Sequence, residues 1–297
     1  MNEYRMTATL AALMGLALLP AGCSMNQATR ALSPARVAGL VESAETAISR
    51  NDYSAAMKDY REAADAGDAS AMSGLGWMYE HGLGTEKDCA AAMKWYRNAA
   101  DAGFSEAMAN IGWLYQHGGG VDRDGKEAMN WYRKAVDAGN LHAMTRIGRL
   151  YERGRDGVER DYPEAVTWFR KAAEGGDSGA IANLGWMYQN GFGVERDYVE
   201  AMKFYLKAVD DGNAFAMCNI GVLYQNGFGV KTDYAEARKW YEKAAEAGNS
   251  GAMGNLGSLY QNGLGVERSP AKAKQWYEKA AKTGRAPAPQ APVEQKQ

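Results

Sequence analysis

The chain has little of what most chemistry requires. Three cysteines in 297 residues, at positions 23, 89 and 218, are too few for a disulfide scaffold. Three histidines leave little with which to build a zinc site. His81 and His117 hold the same place one repeat apart, about 10 Å from each other across neighbouring helices, and no third ligand is evident, so no metal is expected. The formal net charge is −2, and no basic stripe exists to displace phosphate counterions, which argues against nucleic acid. The one long apolar run, Met6 to Leu19, has fourteen residues and is too short to span a bilayer. No phosphate loop, nucleophile elbow or paired carboxylate is present, and neither an enzyme nor a cofactor is expected.

What the chain does have is repetition. Gly-x-x-Tyr recurs as Gly76/Tyr79, Gly112/Tyr115, Gly148/Tyr151, Gly185/Tyr188, Gly221/Tyr224 and Gly257/Tyr260, at steps of 36, 36, 37, 36 and 36 residues. A period in this range means stacked helical hairpins. In the first copy, residues 71, 72, 75, 76, 78 and 79 share one side of a helical turn. This helix stops at Gly82, as its later copies stop at Gly118, Gly154, Gly191, Gly227 and Gly263. The second helix opens on Asp88, Asp124, Asp161, Asp197, Asp233 or Ser269, residues suited to N-caps. Glu127, Glu164, Glu200 and Glu236 follow four of them at the capping-box spacing. Pro270 suits a first turn. The second helix buries Ala92, Trp95, Tyr96, Ala99 and Ala100 and ends at Gly103. The extra residue of the third copy falls in the loop Gly154-Arg155-Asp156-Gly157, where insertion is cheap.

The pattern Ala-x-x-x-Leu-Gly-x-x-Tyr-x-x-Gly-x-Gly-Val-x-x-Asp-Tyr-x-x-Ala-x-x-Trp-Tyr-x-x-Ala-Ala-x-x-Gly resembles the Sel-one-like repeat family, a branch of the tetratricopeptide superfamily. The likeness covers residues 52 to 284. The fourth copy follows it through Ala180, Gly185, Tyr188, Gly191, Gly193, Val194, Asp197, Tyr198, Ala201, Tyr205 and Gly212. Phe204, Val209, the pair Arg155-Asp156 and the pair Ser269-Pro270 depart from it. The resemblance implies an all-α, right-handed α/α superhelix of about six and a half antiparallel helix pairs. Residues 37–67 are expected as capping helices, with a first helix at about Ala38 to Ser49. Full repeats then run over 68–103, 104–139, 140–176, 177–212, 213–248 and 249–284. Cysteine-rich secreted members of the family staple each repeat with its own pair, which this chain lacks. Cys89 and Cys218 lie four repeats apart, too far for a bridge that needs Cα atoms within roughly 7 Å.

Residues 1–22 read as a signal peptide. Leu18-Leu19-Pro20-Ala21-Gly22-Cys23 resembles a bacterial lipobox, with Pro20 where the pattern usually has Leu. Cys23 is then the expected lipidation site, residues 23–36 a tether, and the outer membrane's periplasmic face the expected location, against soluble export after ordinary cleavage. Residues 285–297, with Pro287, Pro289 and Pro292, read as a disordered tail.

Two motifs invite an enzymatic reading. Ser269-Pro270-Ala271-Lys272 and Lys282-Thr283-Gly284 spell penicillin-recognising elements, but Ser269 reads as an N-cap, Gly284 as a helix stop, and no Ser-Asp-Asn element lies between them. The remaining candidate is the helix face opposite the buried side, at 73, 77, 80, 81 and their equivalents, which lines the concave groove in tetratricopeptide-type stacks. The groove residues are then Ser73, Trp77, His81, Trp113, His117, Arg149, Arg153, Trp186, Gln189, Gln225 and Gln261. Trp and Arg are enriched at binding hot spots. Alternatively, the indoles pack between helices. The glutamines and Asn190, Asn226 and Asn262 offer amides to a peptide backbone or to sugar hydroxyls, although Asn before Gly also suits helix closure. Family resemblance implies a monomeric adaptor that binds a protein or peptide, such as an envelope or cell-wall protein. The alternatives are a carbohydrate or peptidoglycan module and, further off, a weak hydrolase acting through Ser269.

Overall fold

The computed structural model describes residues 32–283. The expected signal peptide, Cys23, Gly284 and the Pro-rich tail lie outside the described residues. Within them the chain is a string of helices. An opening pair, α1 (Pro34–Ser49) and α2 (Tyr53–Asp65), precedes six repeats. The first helices of the repeats are α3 (Ala69–His81), α5 (Ser105–His117), α7 (Leu141–Arg153), α9 (Ser178–Asn190), α11 (Ala214–Asn226) and α13 (Ser250–Asn262). The second helices are α4 (Cys89–Asp101), α6 (Gly125–Asp137), α8 (Tyr162–Glu174), α10 (Tyr198–Val209), α12 (Tyr234–Glu246) and α14 (Pro270–Lys282). Each helix packs on the one before and the one after, and α9 also touches α11. No helix among the described residues is long and apolar enough to cross a membrane.

The expected punctuation is present, with one correction. Every first helix of the six repeats ends on its glycine in the left-handed conformation, as Gly82 does at φ +68°. Every second helix starts on its expected cap, as where Asp88 accepts from the Ala91 N–H at 2.9 Å. The capping box is only half formed. The cap's own N–H donates to the carbonyl of the repeat tyrosine, Asp161 to Tyr151 at 2.9 Å and Asp197 to Tyr188 at 3.0 Å. The glutamates are therefore free to pair forward, Glu164 accepting from the Trp168 indole N–H at 2.9 Å and Glu200 pairing with Lys203 at 2.8 Å. The tertiary turn supplies an acceptor that a local motif would otherwise have to provide.

The first helix of the opening pair begins at Pro34, within the stretch expected to be tether. Ser33 accepts from the Arg36 N–H at 3.3 Å, and Pro34 sits in the first turn, where its missing N–H has no partner to lose. Arg36 then reaches Glu62 on α2 at 3.0 Å.

The core does not lie within single repeats. The buried Ala92, Tyr96 and Ala99 of α4 pack with Ala107, Ile111 and Leu114 of α5, which belong to the next repeat. The same sharing joins α12 to α13 and α10 to α11. A repeat thus depends on its neighbour for its buried face, and stability is a sum of such interfaces.

Within a repeat, the fixed contact is an aromatic ring lying on a glycine. A Cβ built on Gly76 meets the Tyr96 ring at 2.6 Å, one on Gly185 meets Tyr205 at 2.7 Å, and one on Gly221 meets Tyr241 at 2.5 Å. The second glycine of Gly-x-Gly makes the link backward. A Cβ on Gly193 comes 2.4 Å from the carbonyl carbon of Tyr162, at the start of the preceding repeat's second helix. The third repeat, with its extra residue, reverses this arrangement. Its loop carries Arg155 and Asp156, and the start of α6 carries Gly125, whose N–H donates to the Asp156 carbonyl at 2.7 Å. The glycine has moved from the loop to the surface that the loop touches.

Gly221→Ala is expected to lower stability by about 1–3 kcal/mol, because the fully buried Tyr241 has no room to withdraw. Gly39→Ala, in α1 where a Cβ meets nothing within 4 Å, should be neutral or raise it by about 0.5–1 kcal/mol. Urea midpoints of both variants check the contrast, and similar losses in both would remove the ring contact as the cause.

Candidate interaction face

The first helices present a common stripe, and the structure divides the expected groove residues into those that reach it and those that do not. Ser73 does not, because it is 7% exposed. Its equivalents Ala109, Thr145 and Ala182 are buried as well, since the position lies on the seam where neighbouring helices close. Position 80 also turns inward. Glu80 accepts from the Tyr96 hydroxyl at 2.7 Å, and Gln189, Gln225 and Gln261 accept in the same way from Tyr205, Tyr241 and Tyr277 at 2.8, 2.9 and 2.9 Å. The glutamine carbonyls expected to face a ligand thus tie the two helices of each repeat together.

Asn190, Asn226 and Asn262 close their own helices, donating to the carbonyls of Trp186, Val222 and Ser258 at 2.8 to 2.9 Å. His81 and His117 do likewise, each Nδ1 lying 2.9 and 3.0 Å from the carbonyls of Trp77 and Trp113. Each ring also rests on its neighbour, with His117 stacked on Trp113 at 4.3 Å between centroids. Among the described residues no three His, Cys, Asp or Glu gather as a metal site.

The indoles are neither free nor fully buried. Trp77 packs against the clusters on both of its sides, and Trp186 does the same. Trp113 lies against one. Trp186 also meets Phe192 at 5.1 Å. Each indole covers a seam with one side and stays half-buried, its other side reaching the surface.

Between the aromatic helices lies α7, which differs from them. His142, Arg146, Arg149 and Arg153 follow at steps of four, three and four, one stripe along the helix. His142 sits 2.6 Å from Oδ2 of Asp177, the cap of α9. Burial alone would raise the Asp177 pKa, but bonds from His142 and the Ala180 N–H outweigh it and hold the carboxyl low. Arg149 is exposed at the surface, yet crowding by protein atoms and then repulsion from Arg146 and Arg153 lower its pKa. Burial raises Glu152, with Arg153 and Arg149 opposing it. The sequence reading named Arg149 and Arg153. Arg146 and His142 were not among the expected residues, although their spacing along α7 is legible in the sequence.

Glu152 has no tyrosine to receive, since the ring opposite is Phe169, fully buried against Gly148. Ser269, the conceivable nucleophile, accepts from the Lys272 N–H at 3.4 Å as the cap of α14, and Lys272 lies over the Tyr260 ring at 5.3 Å. Cys89 and Cys218 are both unbridged, and burial pushes the Cys218 thiol up to about 12.

The chain is similar to known proteins in its repeat. The family model described as Sel1 repeat matches six times, over residues 69–104, 105–140, 141–177, 178–213, 214–249 and 250–284. No curated protein is matched. A Sel1 repeat protein from Oxalobacter formigenes is similar at 37% identity and TM-score 0.71, over 82% of this chain and 99% of its own. The protein c5321, a protective antigen present in uropathogenic Escherichia coli strains, is similar at 35% identity and TM-score 0.62 over 77% of this chain. The match spans 49% of that protein.

Phe169→Tyr should restore in the third repeat the hydroxyl-to-acceptor bond made in the other five, with Glu152 accepting as Glu80 does. The expected gain is about 1 kcal/mol, read from urea unfolding. No gain would show that the longer third loop has moved Glu152 out of reach.

Proposed function

The chain belongs to the Sel1 repeat family, and from that premise we propose that it is a non-enzymatic adaptor binding a protein partner in the groove formed by its first helices. Sel1 repeat proteins generally mediate protein–protein interaction and are typically non-catalytic scaffolds. The observation that carries the reading is the pair of half-buried indoles, Trp113 and Trp186, on the helices either side of Arg149. Large aromatics fixed by packing on one side lose little entropy when the other side is covered, which is what a hot spot requires. The glutamine carbonyls are committed to tyrosines, so affinity here comes from rings and guanidinium groups rather than from a ladder of amides.

We further propose that the adaptor works at the bacterial cell envelope, held at the periplasmic face of the outer membrane through a lipid on Cys23. The support is the stretch Leu18 to Cys23 after an apolar run of signal-peptide length.

Two measurements test this reading. Trp113→Leu with Trp186→Leu keeps the seams apolar and should leave the melting temperature within about 5 °C of wild type. It should also lose a protein that wild type captures by crosslinking in envelope extracts. Retention of the same proteins by the double variant would place binding elsewhere, and capture of glycan alone would favour a wall-binding module. For the anchor, Cys23→Ser should move the protein from the membrane to the soluble fraction, and wild type already found soluble would rule the lipid out.

A further inference from the structure

We propose that α7 is the anchor point for an acidic, extended segment of the partner, whose carboxylates pair with Arg146, Arg149 and Arg153 while its apolar residues lie on Trp113 and Trp186. This rests on the reading that the first-helix face binds protein, and it adds the chemistry of what is bound.

The other first helices form without such charges. Where α7 carries arginines at 146, 149 and 153, α5 has Asn110, Trp113 and His117, and α9 has Asn183, Trp186 and Asn190. The other three first helices, likewise, have no Lys or Arg at these positions, and all form the same thirteen-residue helix. Three guanidinium groups on one stripe repel, and Arg149 registers that repulsion from both neighbours. Neutralisation is incomplete. Glu152, the only carboxylate of α7, and Asp177 act on Arg149 from a distance, while none of the three arginines has a carboxylate within 4.0 Å among the described residues. Arg146 also contacts the Tyr132 hydroxyl, which orients it. The site is rich in donors and poor in acceptors, and an acceptor-only ligand completes it.

The dimensions select a peptide. From Arg146 to Arg153 the helix rises about 10 Å, the length of about three extended residues, so two or three carboxylates close in sequence match the row. Arginine is suited to bidentate pairing with carboxylate. Indoles on both flanks favour a ligand that alternates charge with apolar bulk.

The test uses the full chain and a fluorescein-labelled peptide, Leu-Asp-Glu-Leu repeated three times, beside its amide counterpart with Asn and Gln. Anisotropy should show the acidic peptide binding at least about tenfold more tightly than the amide one, with affinity falling between about 50 and about 300 mM NaCl. Arg149→Gln with Arg153→Gln, at exposed positions and with unchanged circular dichroism, should lose about tenfold or more. Equal binding of the two peptides, or unchanged binding by the arginine variant, overturns the proposal. So does tighter binding of an oligothymidylate of equal charge, which would assign the row to phosphate. If the arginine variant still captures the envelope partner that the tryptophan variant loses, the adaptor reading stands and this inference falls. If the tryptophan variant captures everything but the acidic peptide still needs the arginines, the inference outlives the envelope reading.

Discussion

The contact on which the stack depends is a flat ring lying on a bare backbone. In each repeat the ring of the second helix comes so close to the glycine of the first that a single methyl group would overlap it, from 2.5 Å at Gly221 to 2.7 Å at Gly112. That closeness sets the spacing within the hairpin. The hydroxyl on the far edge of the ring then finds an acceptor one turn further along the first helix, as Tyr132 finds Gln116 at 2.8 Å, and fixes the helix register. The repeat tyrosine holds a third point by offering its carbonyl to the next cap and, in four repeats, its hydroxyl to an arginine of the preceding helix, as Tyr79 does to Arg61 at 2.8 Å. Each residue of the pattern is thus tied to a particular distance.

The third repeat shows how far the module bends before it changes. It has the inserted residue, the phenylalanine in place of tyrosine and the arginine row on α7, and its loop lies on the glycine at the start of α6 in the repeat before it. The loop and the glycine compensate each other: a longer loop needs a bare surface to lie on, and Gly125 provides one. Arg146 is tied to the Tyr132 hydroxyl, but the exposed Arg149 and Arg153 do little inside the molecule beyond their pull on Glu152. They stand where its neighbours carry neutral side chains, and their cost is mutual repulsion. A feature that the fold tolerates without using it is where a surface specialises.

The face as a whole is graded. Trp77 and Trp113 with their histidines form one end, the guanidinium row comes next, and Trp186 with Phe192 follows before the side chains shrink to Val222 and Ser258. A solenoid displays such a sequence of environments in linear order, because consecutive first helices sit side by side. The N-terminal ends of α9, α11 and α13 are joined by Asn213 to Ser178 and Asn249 to Ala214, both at 3.3 Å.

The amino-acid sequence by itself determined the helix pairs, their ends and their number, because a glycine that stops a helix and an aspartate that starts one act on their own few neighbours. It also contained the start of α1, in Ser33 and Pro34, and the arginine row, in spacing along one helix. Only the tertiary structure decided which way the polar positions turn. Gln189 and Asn190 are adjacent and chemically alike, yet one bonds to a tyrosine sixteen residues on and the other to its own helix. Ser73 looks like a surface residue, and a neighbouring helix buries it. The indoles are half-covered because each lies over a seam that exists only once two repeats have met. Such outcomes depend on partners distant along the chain, and no local pattern of residues encodes the angle at which those partners arrive.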